Sequence, residues 1–164
     1  MVGAGGAGKS TLARHIGERL DLPVIHMDAE FWLPGWQQPS AADWEQRADQ
    51  LVSDDAWVMD GAHRDSFQRA LRRAQVLVVL DPSPILLVWR LLARRWLGRG
   101  RPDLPLPQRL TRAFVVETWA YRRRIKPDVV AAAKAAGVRL IVLHSTGEVN
   151  AWVESVGQSD GMEI

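Results

Sequence analysis

The sequence predicts a three-layer α/β sandwich, with helices packed on both faces of a mainly parallel sheet. Three observations carry that prediction. Short strand-like runs alternate with helix-like stretches along almost the whole chain. The strand-like runs are apolar nearly throughout, as suits strands covered on both faces rather than on one. A glycine-rich loop, Gly3 to Ser10, leads straight into a helical stretch.

The elements follow in order. Lys9 to Leu20 reads as the helix after the glycine loop, and PVIHM (23–27) as a strand. Ser40 to about Val52 begins with SAAD after Pro39, a start resembling a capping box, in which a serine hydroxyl takes up a free amide of the first turn. AWVMD (56–60) and VLVVLD (76–81) are strands. Ser83 to about Leu97 is a helix with Ile85, Val88, Trp89, Leu92 and Trp96 on one face, and with Arg90 and Arg94 opposite at i, i+4. Further helices are expected over Pro107–Tyr121 and Pro127–Ala136, the second closed by Gly137 as a C-cap. VRLIVLH (138–144) is the last strand, and about Glu148 to Val156 the last helix. The whole is expected to be one domain over 1–157, followed by a frayed polar tail at 158–164.

In sheets of this class ligands bind beyond the carboxyl ends of the strands. That rule gathers the chemistry. Gly3-Ala4-Gly5-Gly6-Ala7-Gly8-Lys9-Ser10 fits the phosphate-loop pattern G-x-x-x-x-G-K-[ST], followed by Thr11. Glycines let backbone N–H groups turn inward around phosphates, and the helix behind them adds partial positive charge. Lys9 would then reach the β- and γ-phosphates of ATP, and Ser10 would offer its hydroxyl to Mg²⁺. Asp60 ends an apolar strand, where a metal-orienting acid belongs. Asp28 ends another; it either accepts the proton of an attacking hydroxyl, orients the metal through water, or is a turn residue. His26 and His63 receive no catalytic role.

Composition narrows the classes. There is no cysteine among the 164 residues, which excludes disulfides, thiolate metal sites and cysteine nucleophiles and suits a reducing cytoplasm, the expected compartment. Gly3 to Ser10 is too polar for a secretory leader, and the longest apolar stretch, 76–93, is broken by Asp81, Pro82, Pro84 and Arg90, so no membrane span is expected. Charge is segregated: residues 64–126 hold 15 basic and 4 acidic side chains, net +11, whereas residues 1–63 are net −6. Fourteen of those fifteen are arginine, whose planar fork matches pairs of phosphate oxygens. Arg90, Arg94 and Arg122 are candidates for meeting a transferred phosphoryl group. The segment GRGRPDLPLP reads as a flap, with its lid at about 98–107. Among eight tryptophans, Trp57, Trp89 and Trp152 read as core. Trp32 and Trp36, in FWLPGW after Asp28, read either as a stacking surface for a base or sugar or as loop packing.

Taken together, GAGGAGKST, HMDAEFWLPGW, VMDGAHR and WRLLARRWLGRGRPD resemble the adenylate-kinase-like P-loop kinases, most closely the bacterial group of DNA topology modulation proteins. The resemblance runs from Gly3 to about Val156. It implies a five-stranded parallel sheet, ATP–Mg²⁺ as cofactor, and phosphoryl transfer to a small acceptor: a nucleotide, a nucleoside or another hydroxyl compound. It makes Lys9 and Ser10 phosphate and metal residues, Asp60-Gly61 and Arg64 an Asp-Gly…Arg element beside the acceptor, and Arg90–Arg95 the arginines of the lid. The flap is short for an adenylate kinase, which argues against AMP as acceptor. A nucleic-acid partner is permitted by the +11 block and is not favoured, since no helix-turn-helix, zinc module or RNA-recognition signature accompanies it. A monomer is expected. Only Met1 and Val2 precede the loop, so the first strand is expected to be truncated, as if the chain started a few residues late. Three missing buried aliphatic residues would forfeit roughly 1.5–3 kcal/mol each.

Overall fold

The computed structural model describes residues 1–61, 64–96, 121, 123 and 125–156. Strand β1 is Val2–Gly3, and the glycine loop passes from it into helix α1, Lys9–Leu20. Strand β2, Val24–His26, runs directly into a short helix α2, Met27–Phe31, and α3 follows at Ala41–Leu51. Strand β3, Val58–Asp60, precedes α4, Arg64–Leu71, and β4, Val76–Leu80, precedes α5, Pro84–Trp96. The chain closes with α6, Lys126–Ala135, β5, Arg139–Leu143, and α7, Thr146–Ser155. The flap at 98–107, Arg122, the tail at 158–164 and all but the last residue of the expected Pro107–Tyr121 helix lie outside the described residues.

The expected α/β class holds, and among the described residues the strands β1 to β5 pair in parallel, an isolated antiparallel bridge joining Leu33 and Gln37. Strands β1, β4 and β5 form one ladder and β2 with β3 another. Met1 joins them. Its amino group donates to the Met59 carbonyl, and its own carbonyl accepts from Gly61 N–H at 3.0 Å, the slanted pattern of a parallel bridge. The strands therefore lie in the order β2-β3-β1-β4-β5, with a two-residue strand at the centre.

Alternation along β4 builds the three layers. Val78 and Leu80 point to one face, into a core with Leu12, Ala13 and Ile16 of α1, Leu87 of α5 and Leu143. Leu77 and Val79 point to the other, against Leu71 of α4 and Val129 and Ala133 of α6. A third cluster, Ile25, Met27, Phe31, Trp44, Ala48, Val52, Met59 and Ala70, fastens α2 and α3 onto the β2–β3 end.

Four local readings need correction. Met27 and Asp28 belong to α2 rather than to the end of a strand, because the chain coils as soon as β2 leaves its partner. The short helices α2 and α4 were not expected; their apolar positions are set by packing on the sheet rather than by a long periodic pattern. Helix α7 begins at Thr146, with Ser145 as its cap: Ser145 Oγ accepts from Glu148 N–H at 3.1 Å, and the Glu148 carboxylate reaches back to His144 N–H at 2.9 Å. The largest correction concerns α5. Trp89 reads as core, yet it is 65% exposed beside Ile85 and Leu92 at 75% and 53%, and among the described residues of this helix Leu87 is the one that joins the buried cluster.

Candidate functional site

The glycine loop is shaped by positive-φ backbone at Gly3, Gly6 and Gly8, conformations that a Cβ would strain. Gly3 also lies so close to β4 that a Cβ there would stand 2.6 Å from the Leu80 carbonyl oxygen. Gly8, in a left-handed conformation, is the N-cap of the 12-residue helix α1 and makes no side-chain capping bond, and the first turn of that helix opens onto the loop. Lys9 folds back over this loop, its Nζ donating to the carbonyls of Gly3 at 2.9 Å and Ala4 at 3.2 Å. Gly5, Ala7, Ser10 and Thr11 complete the segment, as the sequence requires.

Beside the loop lie the ends of β2 and β3. Asp60 is 3% exposed and accepts from His26 Nδ1 at 2.8 Å through Oδ1. Its Oδ2 is buried with no partner among the described residues. Asp28, on the first turn of α2, brings its Oδ1 to 4.0 Å from where a Cβ of Gly61 would sit. Burial also lowers the Met1 amino group to about 5, against the opposing pull of Asp60 and assisted by Lys9.

On the other side of the loop a cleft of about 630 Å³ opens, lined by Gly6, Thr11, Pro82, Trp89, Arg90 and His144 among others. Arg90 spans its mouth, donating to the Ala7 carbonyl at 3.5 Å and to Thr146 Oγ1 at 2.9 Å. Under its floor Asp81 is buried, paired with Lys126 at 2.6 Å and with His144 Nδ1 at 3.5 Å. Burial, with the Asp81 charge adding to it, pushes the nearby Tyr121 hydroxyl up to about 12.

The remaining candidates are dispersed or fall elsewhere. Trp32 and Trp36 meet edge to face, with ring centroids 5.4 Å apart, and Phe31 in turn contacts Trp32 and Trp44. Trp36 holds a left-handed backbone, φ 61°. Gly61 sits at the end of β3, Arg64 starts α4 and Arg94 lies on α5; Arg122 is not among the described residues. Sequence reasoning places His26, His144 and Thr146 at strand ends without giving them a role, reads Trp89 as core and passes over Lys126. The signal for His26 was available: setting VIH (24–26) level with VMD (58–60) places it opposite Asp60, the register the structure adopts.

The donor set was tested for Mg²⁺. No cage of three acidic, histidine or cysteine side chains exists among the described residues. A hydroxyl at the loop and one buried carboxylate oxygen left over nonetheless suit an ion that takes its other ligands from phosphate and water.

No model of a protein family matches this chain, and no curated protein matches it significantly. Solved structures do. Shikimate kinase from Acinetobacter baumannii, in complex with shikimate, superposes with a TM-score of 0.62 at 16% identity, over 96% of this chain and 88% of that one. A protein of Chloroflexus aurantiacus J-10-fl, assigned as a kinase by inference, superposes with a TM-score of 0.59 at 18% identity, over 96% and 95% of the two chains. At such identities the likeness concerns architecture: the chain has the fold of the P-loop kinases.

Proposed function

We propose that this chain is an ATP- and Mg²⁺-dependent kinase acting on a small hydroxyl-bearing acceptor. One arrangement carries the reading: the start of α1, wrapped in positive-φ glycines, lines a cleft on one side, and Met1, just before the loop, is bonded to Met59 and Gly61 on either side of the buried Asp60. The nucleoside of ATP occupies the cleft between Trp89 and the turn at His144–Thr146. The β- and γ-phosphates lie on the amides of Gly5 to Ser10, and Lys9 exchanges the carbonyls of Gly3 and Ala4 for phosphate oxygens. Mg²⁺, when bound beside Ser10 and Asp60, neutralises charge shared by those two phosphates.

The acceptor enters on the Asp28 side, against Trp32, Trp36, Gly61 and Arg64. Asp28 takes the proton of its hydroxyl as that oxygen bonds to the γ-phosphorus and the bond to the β,γ-bridging oxygen breaks, leaving ADP. Arg90 gives up Thr146 to face the developing charge, joined by Arg94 and Arg122. A nucleotide, a nucleoside or another small alcohol fits this scheme. The compartment is the cytoplasm; among the described residues no helix is long and apolar enough to cross a membrane.

A second reading rests on the net charge of +11 over residues 64–126 and on the resemblance to the DNA topology modulation group: an ATP-binding regulator that acts at DNA. Transfer of labelled γ-phosphate across an acceptor panel separates the two. The kinase reading expects turnover that Lys9→Ala lowers about 10²-fold or more, with no binding of duplex DNA. Equal turnover by Lys9→Ala identifies a contaminant. DNA binding that weakens steeply with salt, without transfer, establishes the regulator instead.

A further inference from the structure

We infer that His26 is a positioning residue: its imidazole holds one oxygen of Asp60 so that the other is presented to the metal–nucleotide complex. The inference rests on the phosphotransfer reading above and assigns a task to a histidine that the reaction scheme leaves idle.

The geometry begins in the backbone. Strands β2 and β3 run parallel with His26 directly opposite Asp60, so the two side chains leave the sheet on the same side at its carboxyl edge. Nδ1 then stands 2.8 Å from Oδ1, and with a carboxylate as acceptor Nδ1 is the nitrogen that carries the hydrogen. A carboxylate has two equivalent oxygens and a broad, nearly two-fold preference about its last torsion. Left alone in a buried place, it would exchange them. Tethering Oδ1 removes that freedom and leaves Oδ2, buried and unpartnered among the described residues, as the oxygen with capacity to spare.

Asp60 could not be held this way by its own strand. It ends a three-residue strand, and the next residue, Gly61, has φ 94°. The backbone turns away at once, and the Gly61 amide is already committed to the Met1 carbonyl. The neighbouring strand supplies the fixing donor instead. Partners in this role orient the acid that faces the ion, and losing them typically weakens metal binding 10–100-fold.

An ordinary buried pair with no such task would also lose stability when broken, so the test must separate the two roles. His26→Asn keeps a nitrogen donor one bond beyond Cγ, where Nδ1 stands; His26→Leu removes it, and His26→Gln carries it one methylene too far. Binding of ADP is measured by calorimetry without metal, and Mn²⁺ is then titrated into each protein at saturating ADP, with bound ion read by electron paramagnetic resonance. The expected result is that His26→Leu and His26→Gln weaken Mn²⁺ at least tenfold while metal-free ADP affinity moves less than threefold, and that His26→Asn stays within about threefold of the unaltered chain in both. Equal weakening of Mn²⁺ and of metal-free ADP, or no change in Mn²⁺ binding for either His26→Leu or His26→Gln, overturns the inference. If His26→Leu fails to fold, His26→Gln and His26→Asn still decide it. Absence of ADP binding by the unaltered chain overturns the phosphotransfer reading and this inference with it; normal ADP binding with Mn²⁺ indifferent to His26 overturns this inference alone.

Discussion

The two halves of the sheet are built on different terms. Strands β1, β4 and β5 carry the glycine loop and the cleft; β4 and β5 pair along five residues each, and the cores on both faces of β4 are mostly aliphatic, with Tyr121 the buried aromatic among them. Strands β2 and β3 carry Asp28, His26 and Asp60; they pair over three residues and lean on an aromatic cluster of Phe31, Trp44 and Trp32. Within the sheet Met1 bridges the halves through two backbone hydrogen bonds, and α1 packs across both, with Val58 of β3 in the same core as Val78 and Leu80 of β4. The half proposed to hold ATP is stiffened by long backbone ladders. The half proposed to receive the acceptor depends on side chains, so its geometry is easier to vary without dismantling the loop.

Substitutions can break or sharpen that contrast. The largest effect is expected from Phe31→Ala, which empties the aromatic cluster at a buried position and should cost about 3–5 kcal/mol. Hydrogen exchange should accelerate in β2, β3 and α3 well before it does in β4 and β5. Uniform acceleration would mean that the halves are not separable.

Alkaline pH tests the other half through Tyr121. Its hydroxyl is held above the ordinary 10, at about 12, so the folded state keeps a proton that the unfolded chain releases. The contribution is complete below pH 10 and is lost as pH rises through about 12, amounting to about 3 kcal/mol. Urea unfolding from pH 9 to pH 12 should show that loss, and Tyr121→Phe should abolish it.

Gly3→Ala comes next, at about 1–3 kcal/mol, because the new Cβ meets the rigid Leu80 carbonyl rather than a movable side chain. ATP affinity, followed by calorimetry, should fall along with the melting temperature. The smallest effect belongs to Thr146→Val, which removes one acceptor from Arg90 at the cleft mouth. That interaction is worth about 1 kcal/mol, and in the proposed scheme Arg90 must leave Thr146 anyway. ATP should therefore bind up to about fivefold tighter; weaker binding would show that Thr146 also serves the ligand.

Much of the site was legible because it is written in local backbone chemistry. Glycine spacing, Lys9, Ser10 and the acids that follow apolar runs need only their neighbours in the chain to be recognised. Ser40 behaves as its sequence suggests, its Oγ accepting from Asp43 N–H. Trp89 was misread for the opposite reason. Its helical spacing says that a stripe of α5 is apolar, but not whether anything covers that stripe, and here it borders a cleft.

By itself, then, the amino-acid order determined the layers and the position of the phosphate-type loop, because periodicity and chain reversal are short-range properties. Tertiary structure alone decided which side chains meet across that edge. Lys126 with Asp81 and Arg90 with Thr146 lie 45 and 56 residues apart in sequence, and each contact depends on helix placement that no local pattern encodes.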